Sequence, residues 1–326
     1  MVEANFPGSL RTRDGVVERR VPLGVGAALV RGTIAWVLVE DRPDRGLGVA
    51  LTWALRQSAD QLHVLVPHSA GHLARRATQF DLDITVWSMA EGGRDLSLHA
   101  ARAEPLPDEV AVDPRHLSFV DVIMDSGADV VIEHGVVCGE VRGLEVCRVV
   151  TDPVTDDIRL EVGVGAHDRE AFGLLHGDTP TADSLRRIVD VVATHRLADA
   201  DPHPLNRLGA ERALRSRVIA EPSLIDAEYL RWAAPATPRA NLKDPIPCVA
   251  VGDTIQGRPL VAVFSSGVDI DVVPFAADAR LFHAAPATDP AAELVIVVPE
   301  RDATTLTKQL AATLRNRARV IGLPSA

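Results

Sequence analysis

Two stretches of the chain alternate short apolar runs with apolar positions at helical spacing. In the first, Ile34-Ala-Trp-Val-Leu-Val39 is unbroken and of strand length; an acidic turn, Glu40-Asp41-Arg42-Pro43-Asp44, follows, and then Leu47–Gln57 repeats its apolar residues as a helix does. The order continues with Leu62-His-Val-Leu-Val-Pro67, a helix from about Ser69 to Phe80, and Ile84-Thr-Val-Trp87. Strands that lose their polar alternation are expected to be buried on both sides, so the pattern predicts a parallel sheet with helices on both faces.

Near the C-terminus the same order returns. Leu260-Val-Ala-Val-Phe264 leads through a turn holding Asp269 and Asp271 into a helix around Pro274–Phe282; Leu294–Pro299, a helix from about Thr304 to Arg315, and Arg319–Gly322 complete it. Gln61-Leu-His-Val-Leu-Val-Pro67 and Glu293-Leu-Val-Ile-Val-Val-Pro299 align best, each followed by a helix and a short strand, as an internal repeat requires.

Between the blocks the pattern changes. Proline-rich segments, Ala100–Pro114 and Pro235–Pro247, bracket a helix over Arg115–Asp125, a strand over Val130–Glu133, and one long extended run over Glu140–Val150. A turn at Asp152–Asp157 leads into Ile158-Arg-Leu-Glu-Val162 and Gly163-Val-Gly165. Helices follow over Asp168–Leu175 and Pro180–Arg196, then an arginine-rich helix containing Arg207, Arg212, Arg215 and Arg217. The expected organisation is α/β. Rossmann-like βαβαβ blocks at 30–100 and 247–326, packed together, flank a central α+β domain at 114–234 built on an antiparallel hairpin.

Composition narrows the function classes. The 326 residues carry 34 Lys+Arg against 45 Asp+Glu, a net charge of -11, which opposes non-specific attraction to nucleic acid or anionic membrane. Only Lys243 and Lys308 are lysines, and the Ala, Val, Asp and Arg bias reads as a high-GC coding signature. The chain as a whole resembles conserved proteins of high-GC actinobacteria, a resemblance that implies no activity. Cys138, Cys147 and Cys248 are too scattered for a disulfide framework or a zinc site. No apolar run reaches membrane-spanning or signal-peptide length, so a cytoplasmic protein without a membrane partner is expected. Oligomeric state is open at this stage.

The richest candidate chemistry lies on the middle hairpin. Side chains alternate along strands, so Arg159 and Glu161 share one face, and Glu145 on the preceding run is expected opposite Glu161 to within two or three positions. Two converging carboxylates repel unless a cation lies between them, and Mg²⁺ or Mn²⁺ held by Glu133, Glu145 and Glu161 meets that need, with Glu140 as a further ligand. This order of strands and acids resembles the core of the PD-(D/E)XK restriction-endonuclease-like superfamily. The resemblance implies a metal-dependent phosphodiesterase, with Glu145 as the first acid and Glu161-Val162-Gly163 as the second motif. Gly163 stands at the family's lysine, so Arg159 or His167 is expected to supply the charge that stabilises phosphate. Arg186, Arg187, Arg196, Arg207, Arg212, Arg215 and Arg217 are the corresponding candidates for tracking a nucleic-acid backbone.

Other motifs give competing expectations. Val263-Phe-Ser-Ser-Gly-Val-Asp-Ile270 is similar to the phosphate loop of the PP-loop ATP pyrophosphatases, with Ser266 in place of a glycine and Ile270 in place of a serine. Together with Asp41, Asp44 and Asp271, Asp269 lies beyond the C-terminal end of a predicted strand, where open α/β sheets bind nucleotides; Asp41 and Asp269 are the cofactor-binding candidates. Gly163-Val-Gly165 before a helix is a weaker phosphate signal. His68-Ser-Ala-Gly-His72 lacks the glutamate of a zincin, and neither a G-x-S-x-G elbow nor a Walker A sequence occurs. The expected function is a metal-dependent nuclease-like protein or a degenerate nucleic-acid-binding relative. The alternatives are a non-catalytic scaffold or interaction protein and a nucleotide binder at the βαβαβ blocks.

Overall fold

The computed structural model describes residues 10–13, 16–89, 97–165, 169, 182–196, 208–238, 246–284 and 292–324. They form a mixed α/β protein of three sheets, divided into two compact units. Met1–Leu106, Val268–Ile296 and Ala303–Val320 make the first; Pro107–Gly267, Val297–Asp302 and Ile321–Ala326 make the second. Among the described residues, no helix is long and apolar enough to cross a membrane.

The first unit is built on a seven-stranded sheet whose spatial order follows the sequence: β1 (Leu10–Arg13), β2 (Val16–Leu23), β3 (Gly26–Arg31), β4 (Ile34–Val39), β5 (Gln61–Val66), β6 (Asp83–Met89) and β7 (Leu98–Ala100). Strands β1 to β4 pair antiparallel, β4, β5 and β6 pair parallel, and β7 returns antiparallel. The strands before Ile34 and the return strand β7 extend the expected βαβαβ pattern on both sides. Helices α1 (Leu47–Arg56) and α2 (Ala70–Ala77) make the parallel crossovers. Successive right-handed crossovers in one direction place both helices on the same face.

Burial along the strands shows that face. Ala35, Val37, Val39, Leu62, Val64 and Val66 are fully buried, and the guanidinium of Arg19 lies over the Trp53 ring of α1 at 5.8 Å. The alternate residues Trp36, Leu38, His63 and Leu65 are only half-buried. Coverage on both faces was the expectation from these apolar runs, and the structure corrects it. The runs are continuous because large apolar side chains also occupy the second face.

Later segments supply two more helices to this unit, α6 (Val272–His283) and α7 (Thr305–Ala312); two helices of the second unit, α4 (Ala182–His195) and α5 (Ala210–Ala220), precede them in the chain. Helix α1 packs on α6 and α7, and α2 packs on α6. Phe80 and Leu314, each just past the second helix of its block, form an antiparallel bridge, with the Asp81 N–H donating to Thr313 and the Arg315 N–H to Gln79. Corresponding points of the two blocks therefore meet.

The second unit contains α3 (Val120–Asp125) and four antiparallel strands in the order β11-β10-β9-β8, with β8 (Asp129–Glu133), β9 (Val136–Val141), β10 (Leu144–Thr151) and β11 (Ile158–Val162). The single run expected over Glu140–Val150 is two strands. Arg142 (φ 47°) and Gly143 (φ 77°) make the two-residue turn between β9 and β10, as His134 and Gly135 do between β8 and β9. One sheet face forms a core of Val137, Val141, Leu144, Cys147, Val149 and Leu160 with Ile123 of α3 and Leu185, Val189 and Val192 of α4 (Ala182–His195).

Helix α5 (Ala210–Ala220) lies against β12 (Ala227–Ala233), β13 (Cys248–Thr254) and β14 (Pro259–Phe264) of a five-stranded sheet. That sheet continues in the order β12-β13-β14-β15-β16, with β15 (Glu293–Pro299) and β16 (Arg319–Leu323). Leu260 to Phe264 of β14 are buried without alternation. The N- and C-terminal blocks thus belong to separate sheets, not to one.

Candidate functional site

On its other face, the four-stranded sheet carries acids beneath α5. Glu140 of β9 sits opposite Glu145 of β10, and a bulge between Glu145 and Cys147 brings Arg148 to the same side as Glu145. Arg148 pairs in register with Glu161 of β11, so Glu145 lies three positions from the strand partner of Glu161. The buried side of α5 carries Arg212, Arg215 and Val218, one helical stripe at i, i+3, i+6.

Carboxylates and guanidinium groups interleave here. Glu145 Oε1 accepts from Arg148 Nε at 2.9 Å and Arg169 Nη1 at 3.0 Å; its Oε2 accepts from Arg148 Nη2 at 2.9 Å and Arg212 Nη1 at 3.5 Å. Arg212 also reaches Glu140 at 2.9 Å and Glu133 at 3.4 Å, while Arg215 joins Glu133 to Glu140. Arg169 lies between Glu145 and Glu161, 3.6 Å from the latter, and Arg159 donates to Glu161 and Asp152. The structure therefore gathers Glu133, Glu145 and Glu161 into one network, joined by Arg212 and Arg169.

Electrostatics follow from burial and charge. Burial alone raises the Glu145 carboxyl, but the hydrogen bonds and charge of Arg148, with Arg169 and Arg212, outweigh it and hold the group below the usual range. Glu140 is displaced upward, because its burial outweighs the pull of Arg215 and Arg212. A carboxylate has about four lone-pair sites, and Glu145 spends all of them on guanidinium donors. The donor set does not fit a divalent cation without expelling arginines. Among the described residues, no three His, Cys, Asp or Glu side chains group as metal ligands do. His167 lies outside the described residues.

The arginines expected to track nucleic acid divide by environment. Arg212 and Arg215 are buried on the acids; Arg196 donates to the carbonyls of Arg142 and Leu208, and Arg217 to that of Pro324. Arg186 and Arg187 are exposed, the former paired with Asp183, and Arg207 lies outside the described residues.

The nucleotide candidates are likewise engaged. Asp41 is exposed, 4.0 Å from Arg42, whereas Asp269 binds Arg45 and accepts from the Asp271 N–H. In the loop similar to a PP-loop, the Gly267 N–H donates to Asp302 at 2.8 Å, so the protein's own carboxylate holds a donor that a phosphate needs. The Gly163 N–H is spent on the Val146 carbonyl.

A feature the motifs did not signal lies on the half-open face of the first sheet. Trp36, His63 and Trp87 stand on adjacent strands with ring centroids 5.4 and 5.9 Å apart, and Trp87 Nε1 donates to His63 Nδ1 at 3.2 Å. Leu29, Leu38 and Leu65 flank them, also half-exposed, and Leu98 of β7 is 45% exposed. The available signal was Trp and His at alternate positions of otherwise Val- and Leu-rich strands. Comparisons with protein-family models, curated proteins and solved structures gave no match.

Proposed function

We propose that this chain is a non-catalytic interaction protein that docks a protein partner through the half-open face of its seven-stranded sheet. One observation carries the reading: β4 is apolar on both faces, and β5 adds Leu65 and the His63 ring beside Trp36 and Leu38, yet the helices cover only the opposite face. A solvated sheet face normally carries polar side chains, and a contiguous apolar, aromatic one marks an interaction surface. Strand β14 makes the contrast, since its equally apolar residues Leu260 to Phe264 are all buried.

The metal-dependent nuclease reading draws on Glu133, Glu145 and Glu161 and receives less support from their geometry. A metal at Glu145 has to displace Arg148, Arg169 and Arg212 from a buried carboxylate, leaving guanidinium charge unpaired. In the docking reading the ionic cluster ties α5 to the four-stranded sheet.

Site-specific photocrosslinking in cells tests the proposal. A benzophenone side chain at Leu38, on the open face, is expected to give a discrete adduct that Trp36→Glu abolishes. The same probe at Val154, on a turn and 90% exposed, is expected to give none. Equal labelling at the two positions, or an adduct indifferent to Trp36→Glu, overturns it.

A further inference from the structure

Six arginines are buried among the described residues, and five of them are engaged. Arg75 and Arg76 bind Asp278, Arg212 and Arg215 bind the acids of the four-stranded sheet, and Arg196 donates to backbone carbonyls. Arg280 of α6 is the exception. It is only 4% exposed, its Nη2 is buried without a hydrogen-bond partner, and among the described residues its side chain makes no ion pair or hydrogen bond. Burial alone pulls its guanidinium below the ordinary arginine value, with no neighbouring charge adding to the effect or opposing it.

The acid nearest in sequence does not serve it. Asp278 lies two positions earlier, about 200° away around the helix, and its oxygens are taken by Arg75 and Arg76. On the Arg280 face, at i−3, i−4 and i−7, stand Ala277, Ala276 and Val273, all fully buried. An arginine side chain leans toward the N-terminus of its helix, over residues such as these, so the guanidinium meets apolar neighbours. Arg280 sits in the last turn of α6, where a helix favours a cation, but that relief is smaller than the cost of taking a bare guanidinium out of water. Arginine does not escape the cost by losing its proton.

We infer that Arg280 anchors a binding site for a small monocarboxylate, whose two oxygens meet the fork of the guanidinium. Three features select this class, none of which depends on the docking face. The planar fork matches a two-oxygen acceptor better than a spherical anion. A single buried cation with no second one beside it neutralises one charge, so a phosphate dianion would bring an unmatched charge into apolar surroundings. The slight exposure of Arg280 admits a small group and excludes a bulky one.

Calorimetric titration of the full chain with sodium propionate, at fixed ionic strength, tests the site. Propionate is expected to bind saturably, and propionamide, of the same shape without the charge, to give no heat. Arg280→Met keeps an apolar stem and removes the charge; it is expected to weaken propionate at least about thirtyfold, as losing one partner of a buried charge pair implies. Without ligand, the same variant is expected to melt no lower than wild type, because it also removes an uncompensated buried charge, and folded variant without binding excludes misfolding as the cause. Inorganic phosphate and chloride are expected to compete weakly. The inference is overturned by an absence of saturable heat with propionate, by propionamide binding as tightly, or by binding that survives Arg280→Met. Phosphate or chloride displacing propionate at equal concentration also overturns it, as does an Arg280→Met protein melting well below wild type, which would mean that the native state already pairs this cation.

Discussion

The carboxylate of Asp271 accepts a hydrogen bond from the backbone N–H of Gly48 at 2.9 Å, in the first turn of α1. The first N–H groups of a helix lack intrahelical acceptors, so the residue preceding α6 satisfies one at the start of α1. A side chain at position 48 is excluded, because its Cβ would lie 2.5 Å from the Ile270 carbonyl oxygen. The two blocks are locked helix start to helix start.

This contact predicts a pH dependence. Burial pushes Asp271 from an ordinary 3.8 up to about 7, with the Asp269 charge adding to it and the Gly48 N–H, Arg76 and Arg45 opposing it. Between these values the native state holds a proton that the unfolded chain releases, so stability from this group is full below about pH 4 and lost as pH rises through about 7. Urea denaturation at pH 4.5 and 8 should show wild type losing on the order of 2–4 kcal/mol relative to Asp271→Asn, which still offers an oxygen to Gly48. A constant difference between the two proteins contradicts the prediction.

Glu145→Ala removes the acceptor shared by Arg148, Arg169 and Arg212. Breaking a buried ion pair from one side costs about 3–5 kcal/mol, far above an ordinary surface substitution, and equilibrium unfolding measures it. Calorimetric titration of the wild type with Mn²⁺ should show no saturable heat. Saturable binding abolished in Glu145→Ala/Glu161→Ala would instead favour the metal-dependent reading.

Gly143→Ala should be among the most damaging single-methyl additions. Its backbone has φ +77°, and a Cβ there would stand 2.2 Å from the Arg212 carbonyl carbon and 2.4 Å from the Ala213 nitrogen. Backbone cannot yield as a flexible side chain does, so a loss of at least about 2 kcal/mol is expected, from strain and displaced α5 together. A thermal melt compared with Gly257→Ala, which also has positive φ but open space around it, separates the collision from the dihedral cost.

The cysteines should be inert in the native protein. All three are buried; burial pushes the Cys147 thiol up to about 12 and Cys138 well above its ordinary value. A chromogenic disulfide reagent at pH 8 should register three thiols in denaturant and no rapid reaction without it.

Much of the secondary structure was local and therefore legible. Runs such as Ile34–Val39 and Leu294–Pro299 declare themselves because apolar periodicity is a property of neighbouring residues, and the structure places β4 and β15 there. Turn chemistry was readable in principle at Arg142-Gly143, where a glycine interrupts the long extended run, but the run's continuity obscured it. The acids on the middle strands were visible as a group, and the need for a cation between them follows from Coulomb repulsion alone.

Which cation answers that need was a tertiary matter. Arg169 lies 24 positions from Glu145, and Arg212 lies 67; no spacing rule links them, because only the packing of α5 over the sheet brings guanidinium groups to the carboxylates. The same holds for burial. Periodicity shows that β4 is apolar on both faces, but only the tertiary arrangement decides that α1 and α2 cover one of them and leave Trp36 on the other. Local sequence sets which side chains a strand presents; the chain's long-range packing, bought with entropy that no local pattern records, sets what each face meets.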